Sequence, residues 1–339
     1  MDEKILADTA RRMVAPGRGL LAADESTGTI KKRFDSISVE NTEENRRAYR
    51  DLLFTTVGAE DYVSGVILFE ETLFQSSADG TPFPKLLASR DIIPGIKVDK
   101  GAKPLVACPG ETVTEGLDGL RERLEKYREA GARFAKWRAV ITIGENMPSD
   151  CAIDVNAHAL ARYAALCQEA NITPIVEPEV LMDGDNSIEV CEAVTTRVLE
   201  ATFAALRLQR VLLEGMVLKP NMVLPGKNCP QQVDVQTVAA ATVRTLRRCV
   251  PAAVPGIAFL SGGQSDELAT QHLDAMNKME GAPWSLTFSY GRALQAPALK
   301  AWAGQSANAE AAQKAYFHRA KLNGLAATGR YSEAMEEAA

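Results

Sequence analysis

Short apolar, β-rich runs alternate along this chain with long segments in which apolar positions recur every three or four residues. The runs lie at 20–25, 65–70, 95–99, 134–140, 174–180, 212–221, 257–262 and 285–291. Their length and β-branched content mark them as strands, and the longer amphipathic, Ala/Glu/Arg-rich pieces between them as helices. Strand then helix then strand predicts parallel pairing through helical crossovers. The eight runs are evenly spread, with no Ser/Gly linker or charged block between them and no internal repeat. That spacing predicts an α/β fold in which residues 1–339 form a single (β/α)8 TIM barrel domain with a short C-terminal tail.

Helix starts are read from local chemistry. Asn41 with Glu44 three residues on is a capping arrangement for the helix running to Val57. Thr114 is expected to cap a helix whose Leu117, Leu120, Leu124 and Tyr127 form one face and which stops near Gly131. Ser187 before Val190, Val194 and Val198, and Ser265 before Leu268, His272 and Leu273, repeat the pattern. These stripes are expected to pack on the sheet and carry no chemistry.

Composition narrows the class. The chain has 339 residues, 46% of them hydrophobic, and a net charge of −6 without a basic stripe, which speaks against nucleic acid or an anionic membrane as partner. Six cysteines, at 108, 151, 167, 191, 229 and 249, show no CxxC pair, as expected of free thiols in a reducing, cytoplasmic compartment. The start at Met1, Asp2 and Glu3 is acidic and helix-like rather than basic then apolar, so no secretory leader is expected, and no apolar run reaches bilayer length.

In a barrel of this kind the active site lies at the carboxyl ends of the strands, and the charges fall there. The first strand ends at Asp24 and the third at Lys97 and Asp99. The fourth carries Lys136 and Arg138, the fifth Glu177 and Glu179, and the sixth Lys219. Residues two apart share a face, so Lys136 and Arg138 point together and Trp137 points away, as do Glu177 and Glu179 around Pro178. Pro178 cannot donate to a ladder, so that pair is expected at the strand's frayed end. Any one of these charges alone reads as a structural ion pair. Three lysines, two glutamates and Asp24 converging on one mouth point instead to chemistry. A lysine ending an apolar strand presents a poorly solvated amine, which a neighbouring cation such as Lys136 would help keep neutral and nucleophilic, with a carboxylate to shuttle protons. Glycine turns after the last two strands, at Ser261–Gly262–Gly263 and Ser289–Tyr290–Gly291, leave bare amides at helix starts, and Arg292 adds a forked cation. Together they suit a phosphorylated ligand. No metal site is expected, because His158, His272 and His318 are the only histidines and lie in no ligand-spaced cluster.

Eight strings carry a family resemblance: LAADESTG at 21–28, ENTEENRR at 40–47, GIKVDKG at 95–101, FAKWR at 134–138, VEPE at 176–179, LKPNM at 218–222, LSGGQ at 260–264 and FSYGRALQ at 288–295. Their order, between about Gly19 and Tyr331, resembles class I fructose-1,6-bisphosphate aldolase. The resemblance implies a cofactor-free lyase that cleaves fructose 1,6-bisphosphate reversibly into dihydroxyacetone phosphate and glyceraldehyde 3-phosphate. It implies Lys219 as the Schiff-base lysine, Glu177 as acid/base, Glu179 as a partner of the lysine cluster and Asp24 as acceptor of the C4 hydroxyl proton. Lys136 and Arg138 would contact substrate. Ser261, Gly262, Gly291 and Arg292 would bind the C1 phosphate, and Ser26, Arg33 and Lys97 the C6 phosphate, with Thr29, Gly263 and Ser289 completing the substrate-binding set. Family members are typically cytoplasmic homotetramers acting in glycolysis and gluconeogenesis. The sequence departs from animal members at Thr29, where they carry serine, and at its end. There Glu336-Glu337-Ala338-Ala339 replaces a long tail with a terminal tyrosine, so that tyrosine's role is not expected of Tyr331. Two other readings stay open at this point: a different Schiff-base lyase or transaldolase on a related sugar phosphate, and a catalytically idle scaffold for partners such as cytoskeletal proteins.

Overall fold

The computed structural model describes residues 1–337. Ten strands occur: β1 (Gly19–Ala23), β2 (Val63–Leu68), β3 (Ile93–Lys97), β4 (Ala102–Pro104), β5 (Thr112–Thr114), β6 (Phe134–Ile141), β7 (Thr173–Val180), β8 (Val217–Leu218), β9 (Gly256–Phe259) and β10 (Ser285–Tyr290). Eight of them close into a parallel barrel in the order β1, β2, β3, β6, β7, β8, β9, β10. All eight expected strands are present, each within a few residues of its sequence-derived bounds. The exception in length is the stretch 212–221. Its first half forms a 3-10 turn at Leu213–Gly215 because the Gln168 side chain takes both the N–H and C=O of Leu212, at 2.9 and 2.8 Å, leaving only Val217 and Leu218 to pair in the barrel.

The helices are α1 (Glu3–Met13), α2 (Thr27–Asp35), α3 (Glu43–Phe54), α4 (Glu70–Leu73), α5 (Phe83–Ser89), α6 (Leu120–Glu129), α7 (Asp150–Glu169), α8 (Ile188–Leu208), α9 (Val235–Cys249), α10 (Asp266–Asn277), α11 (Arg292–Trp302) and α12 (Ala309–Ala326). Ser187 and Ser265 cap α8 and α10, each hydroxyl accepting the N–H three residues on. The buried stripes run through Cys191, Val194 and Val198, and through Ala269, His272 and Leu273, so the expected Val190 and Leu268 are exposed instead. Thr42, not Asn41, caps α3, because its hydroxyl reaches the Asn45 N–H at 3.1 Å while Asn41 donates across to the Thr27 carbonyl. Thr114 caps nothing. It lies in the β4–β5 hairpin, bonded to the Arg138 carbonyl at 2.7 Å, and α6 starts only after Gly119, whose φ of 65° turns the chain. Among the described residues no helix is long and apolar enough to cross a membrane.

The floor of the barrel is apolar. Leu20, Ile67, Ile93, Phe134, Ile175 and Val217 point inward there, and α1 closes the floor with Ala10, Met13 and the Val14 that follows it. Phe134 fits because its neighbours lack side chains: a Cβ on Gly95 would stand 2.2 Å from its ring. Higher up, the same inward faces change character, which sets the site at the opposite end.

Candidate active site

Each strand that bears an inward charge holds it just above the apolar floor. On β6 the inward face reads Phe134, Lys136, Arg138, while Trp137 turns outward to stack on Tyr163 of α7 at 5.6 Å and fixes the strand's rotation. The register sets Lys97 of β3 beside Lys136, and Arg138 beside Glu177 of β7. Pro178 lies inside β7 rather than at a frayed end, since β7 pairs with β6 through Val180. Its missing N–H faces β8, where the ladder has stopped: Lys219 N donates to the Val176 carbonyl at 2.8 Å, and the next N–H on that edge, from Val180, is taken by the Asn221 side chain at 3.0 Å. Asn221 also donates to Thr195 and Met222, which holds the backbone after Lys219 in place.

Glu177 is the hub. Its Oε1 lies 3.3 Å from Lys219 Nζ and its Oε2 3.1 Å from Lys136 Nζ, with all three side chains about 4–5% exposed. Lys136 donates its aligned hydrogen bond elsewhere, to Asp24 Oδ2 at 3.0 Å, so Glu177 Oε2 keeps a buried lone pair with no aligned donor among the described residues. Burial pushes the Lys136 ammonium down, but Asp24, Glu177 and Asp99 outweigh it and hold the group well above the usual lysine range. Burial likewise pushes the Asp24 carboxyl up, and Lys136, Lys219 and Lys97 overcome that, holding it far below the usual carboxylate range. The pair is therefore a fixed cation and a fixed anion at neutral pH.

A cavity of about 340 Å³ opens above this cluster, lined by Asp24, Ser26, Thr29, Arg33, Lys97, Lys136, Arg138, Glu177, Lys219 and Gly291 among others. Ser26 caps α2, its Oγ 3.1 Å from Thr29 Oγ1, which sets two hydroxyls at that helix start. Glu179 lies outside the cavity wall and binds Arg138 rather than a lysine. Ser261, Gly262, Gly263 and Arg292 form an adjoining rim rather than the cavity itself. There φ is 59° at Gly262 and 86° at Gly263, and a Cβ on Gly263 would stand 2.9 Å from both Arg292 Nη2 and Lys227 Nζ. Ser289 points inward from β10, buried, with no hydrogen-bond partner among the described residues.

Glu25 and Lys227 are missing from the sequence-derived set, and Asp99 figures there only as a strand-end charge. Glu25 lines the cavity and binds both Arg33 and the buried Arg50, while Gln295 donates to it at 2.9 Å. Asp99 bridges Lys97 at 2.9 Å and the Arg138 N–H at 3.3 Å. Lys227 joins the rim from the β8–α9 loop. Glu25 stands next to Asp24 in its string, and Asp99 at a strand end, so position alone offered a signal for those two; Lys227 gave none. Tyr331 is packed away from the cavity, its hydroxyl donating to Glu336 at 2.9 Å. Among the described residues no three His, Cys, Asp or Glu side chains are grouped to hold a metal ion.

This arrangement has known relatives. Residues 5–339 match the family model described as fructose-bisphosphate aldolase class-I. A probable fructose-bisphosphate aldolase class 1 of Xanthomonas campestris pv. campestris is 59% identical, covering 96% of this chain and 98% of its own length. Fructose-bisphosphate aldolase 4, cytosolic, of Arabidopsis thaliana is also 59% identical, covering 93% of this chain and 81% of its own. A solved structure of the Plasmodium falciparum fructose-bisphosphate aldolase, in complex with TRAP and a small-molecule inhibitor, superposes with a TM-score of 0.96 at 53% identity and covers 97% of this chain and 96% of its own. With its closed parallel barrel and a lysine cluster at the mouth, the chain belongs to the class I fructose-bisphosphate aldolase family.

Proposed function

We propose that the chain cleaves fructose 1,6-bisphosphate reversibly to dihydroxyacetone phosphate and glyceraldehyde 3-phosphate through a Schiff base on Lys219. The observation that carries this is Glu177, a buried carboxylate within ion-pair distance of two lysines, one of which donates to Asp24. Breaking a carbon–carbon bond beside a carbonyl requires a place for the electron pair, and an iminium at C2 supplies one. Lys219 Nζ passes a proton to Glu177 and attacks C2 as the neutral amine, and the adduct nitrogen's proton moves to the C2 oxygen. Glu177 then returns its proton to that hydroxyl, which leaves as water. Asp24 takes the C4 hydroxyl proton, the C3–C4 bond breaks, the aldehyde leaves, and its electrons pass to the iminium nitrogen as an enamine. Protonation at C3 and attack of water on C2 release the ketose phosphate and restore the amine.

The electrostatics assign a further task to substrate. The cations that keep Asp24 ionised also weaken it as a base, so the C4 hydroxyl must draw Lys136 away from Asp24 before the proton moves. Lys136 then stabilises the charge developing on the substrate oxygens. Arg33, Lys97, Ser26 and Thr29 receive the C6 phosphate and Arg138 contacts the sugar, with Glu179 holding the Arg138 guanidinium. Ser261, Gly262, Gly263, Gly291 and Arg292 receive the C1 phosphate, with Ser289 beneath them. We also propose a cytoplasmic protein that assembles as a homotetramer.

Turnover of fructose 1,6-bisphosphate against fructose 1-phosphate, followed by coupled triose phosphate detection with and without chelator, tests the proposal. The bisphosphate is expected to turn over faster by at least about tenfold, because the C6 phosphate binds in the transition state as well, and chelator is expected to leave both rates unchanged. Equal rates would favour another Schiff-base lyase or transaldolase. Loss of activity on chelation would overturn the mechanism.

A further inference from the structure

His272 lies on α10, buried at 3% exposure and away from the cavity. Its Nδ1 is 2.6 Å from Gln264 Oε1. Gln264 precedes the α10 cap and turns back on the loop after β9. Its backbone N–H and its side-chain Nε2 both donate to the Ser261 carbonyl, at 3.0 and 2.9 Å, and Nε2 also faces Met222 Sδ at 3.6 Å. With the amide nitrogen committed to the loop, only Oε1 is left for His272, so the imidazole donates through Nδ1–H. Burial supports that neutral tautomer by pushing the imidazole down to about 4.

The loop so braced is the anion rim. Gly262 and Gly263 adopt left-handed φ values, and neither N–H donates to a protein acceptor among the described residues. Arg292 and Lys227 stand beside Gly263. Two free amides and two cations ahead of a helix start are the chemistry that holds a phosphate. Its shape depends on the Ser261 carbonyl staying turned toward Gln264.

We propose that His272 and Gln264 are positioning residues: the imidazole orients the amide, the amide holds the Ser261 carbonyl, and the two glycine N–H groups are thereby presented to one phosphate of the substrate. This rests on Ser261, Gly262 and Arg292 forming a phosphate site. Neither His272 nor Gln264 touches substrate, so their loss falls on phosphate affinity and leaves the carbon–carbon chemistry intact.

The test uses the full-length enzyme with inorganic phosphate as competitive inhibitor, alongside KM, kcat and the melting temperature. H272L is expected to raise both the phosphate inhibition constant and KM by about tenfold, the worth of one well-placed hydrogen bond, with kcat within about twofold. H272N, which offers an N–H in the imidazole's place, is expected to restore both constants to near the parent values. Should H272L fail to fold, Q264M, which keeps the side chain's length, carries the same expectation. A variant that lowers the melting temperature while leaving the phosphate constant unchanged overturns the proposal, as does H272N behaving like H272L. R292A is the control for the site itself. If R292A raises the phosphate constant and H272L does not, only the bracing role falls. If R292A has no effect, the phosphate site falls and the proposal with it.

Discussion

The floor and the mouth of this barrel are built from the same strands and are almost equally shut off from water, yet they are held together by different physics. Phe134, Ile175 and Val217 are 0% exposed, and two residues further along the same inward faces Lys136, Glu177 and Lys219 are 3–4% exposed. The floor needs only volume: glycines at 65 and 95 make room for one ring, and α1 seals the end. The mouth needs every charge matched, because an unpaired buried ion costs several kcal/mol. Glu177 achieves this by sharing one carboxylate between two lysines while Asp24 takes the excess charge of Lys136. Stability at the floor is thus additive packing, and stability at the mouth is mutual. A substrate can use the second because ion pairs can exchange partners.

The largest expected effect breaks the mouth's chemistry without breaking its balance. K219M is expected to lower kcat/KM by ~10⁴ or more, since the covalent route is lost. The melting temperature should hold or rise, because Glu177 keeps Lys136 and an apolar group replaces a buried charge. A large loss of stability would show the lysine to be structural. The opposite pattern is expected at the floor. F134A should cost ~3–5 kcal/mol in chemical denaturation through the cavity it leaves, while kcat/KM of the folded enzyme changes by no more than about threefold. E177Q strikes the shared point: activity should fall by ~10²–10⁴, and stability should fall by ~3 kcal/mol, because two buried cations lose their common partner.

The smallest effect concerns pH. Asp24 is held below the usual carboxylate range, so its share of stability is present above the unfolded value near 3.8 and is lost only below it. His272 is lowered to about 4 from 6.5, so its native neutral form costs stability progressively as pH falls from about 6.5 to 4. Asp266, raised to about 6 by burial, acts with the opposite sign in the same window. Comparing H272N with the parent isolates the histidine. The variant should lose up to ~3 kcal/mol less between pH 7 and 4, measured by denaturant titration. Identical slopes would place the imidazole in a more solvated setting.

Much of this contrast was legible in the chain. On three neighbouring strands the change from apolar to charged at a two-residue step, Phe134 to Lys136, Ile175 to Glu177 and Val217 to Lys219, marks which face is inside and which end is functional. The strand carrying 212–221 was read too long because the bonds that curtail it come from Gln168, more than forty residues away. Thr114 departs from expectation for a similar reason, since its partners Arg138 and Asn156 lie 24 and 42 residues away. The pairing of Glu25 with Arg50 and the His272–Gln264 contact belong to the same class: side-chain pairing that periodicity does not encode. Pro178 shows a subtler limit. Its missing donor is evident from sequence, but whether that costs a ladder bond depends on where β8 stops.

The central claim is a covalent bond at one amine. Reducing the enzyme with borohydride in the presence of dihydroxyacetone phosphate, then measuring intact and peptide masses, tests it most directly. The expected result is one triose phosphate per chain on the peptide bearing Lys219, absent in K219M. No adduct, or an adduct on Lys136 or Lys97 instead, would contradict the account.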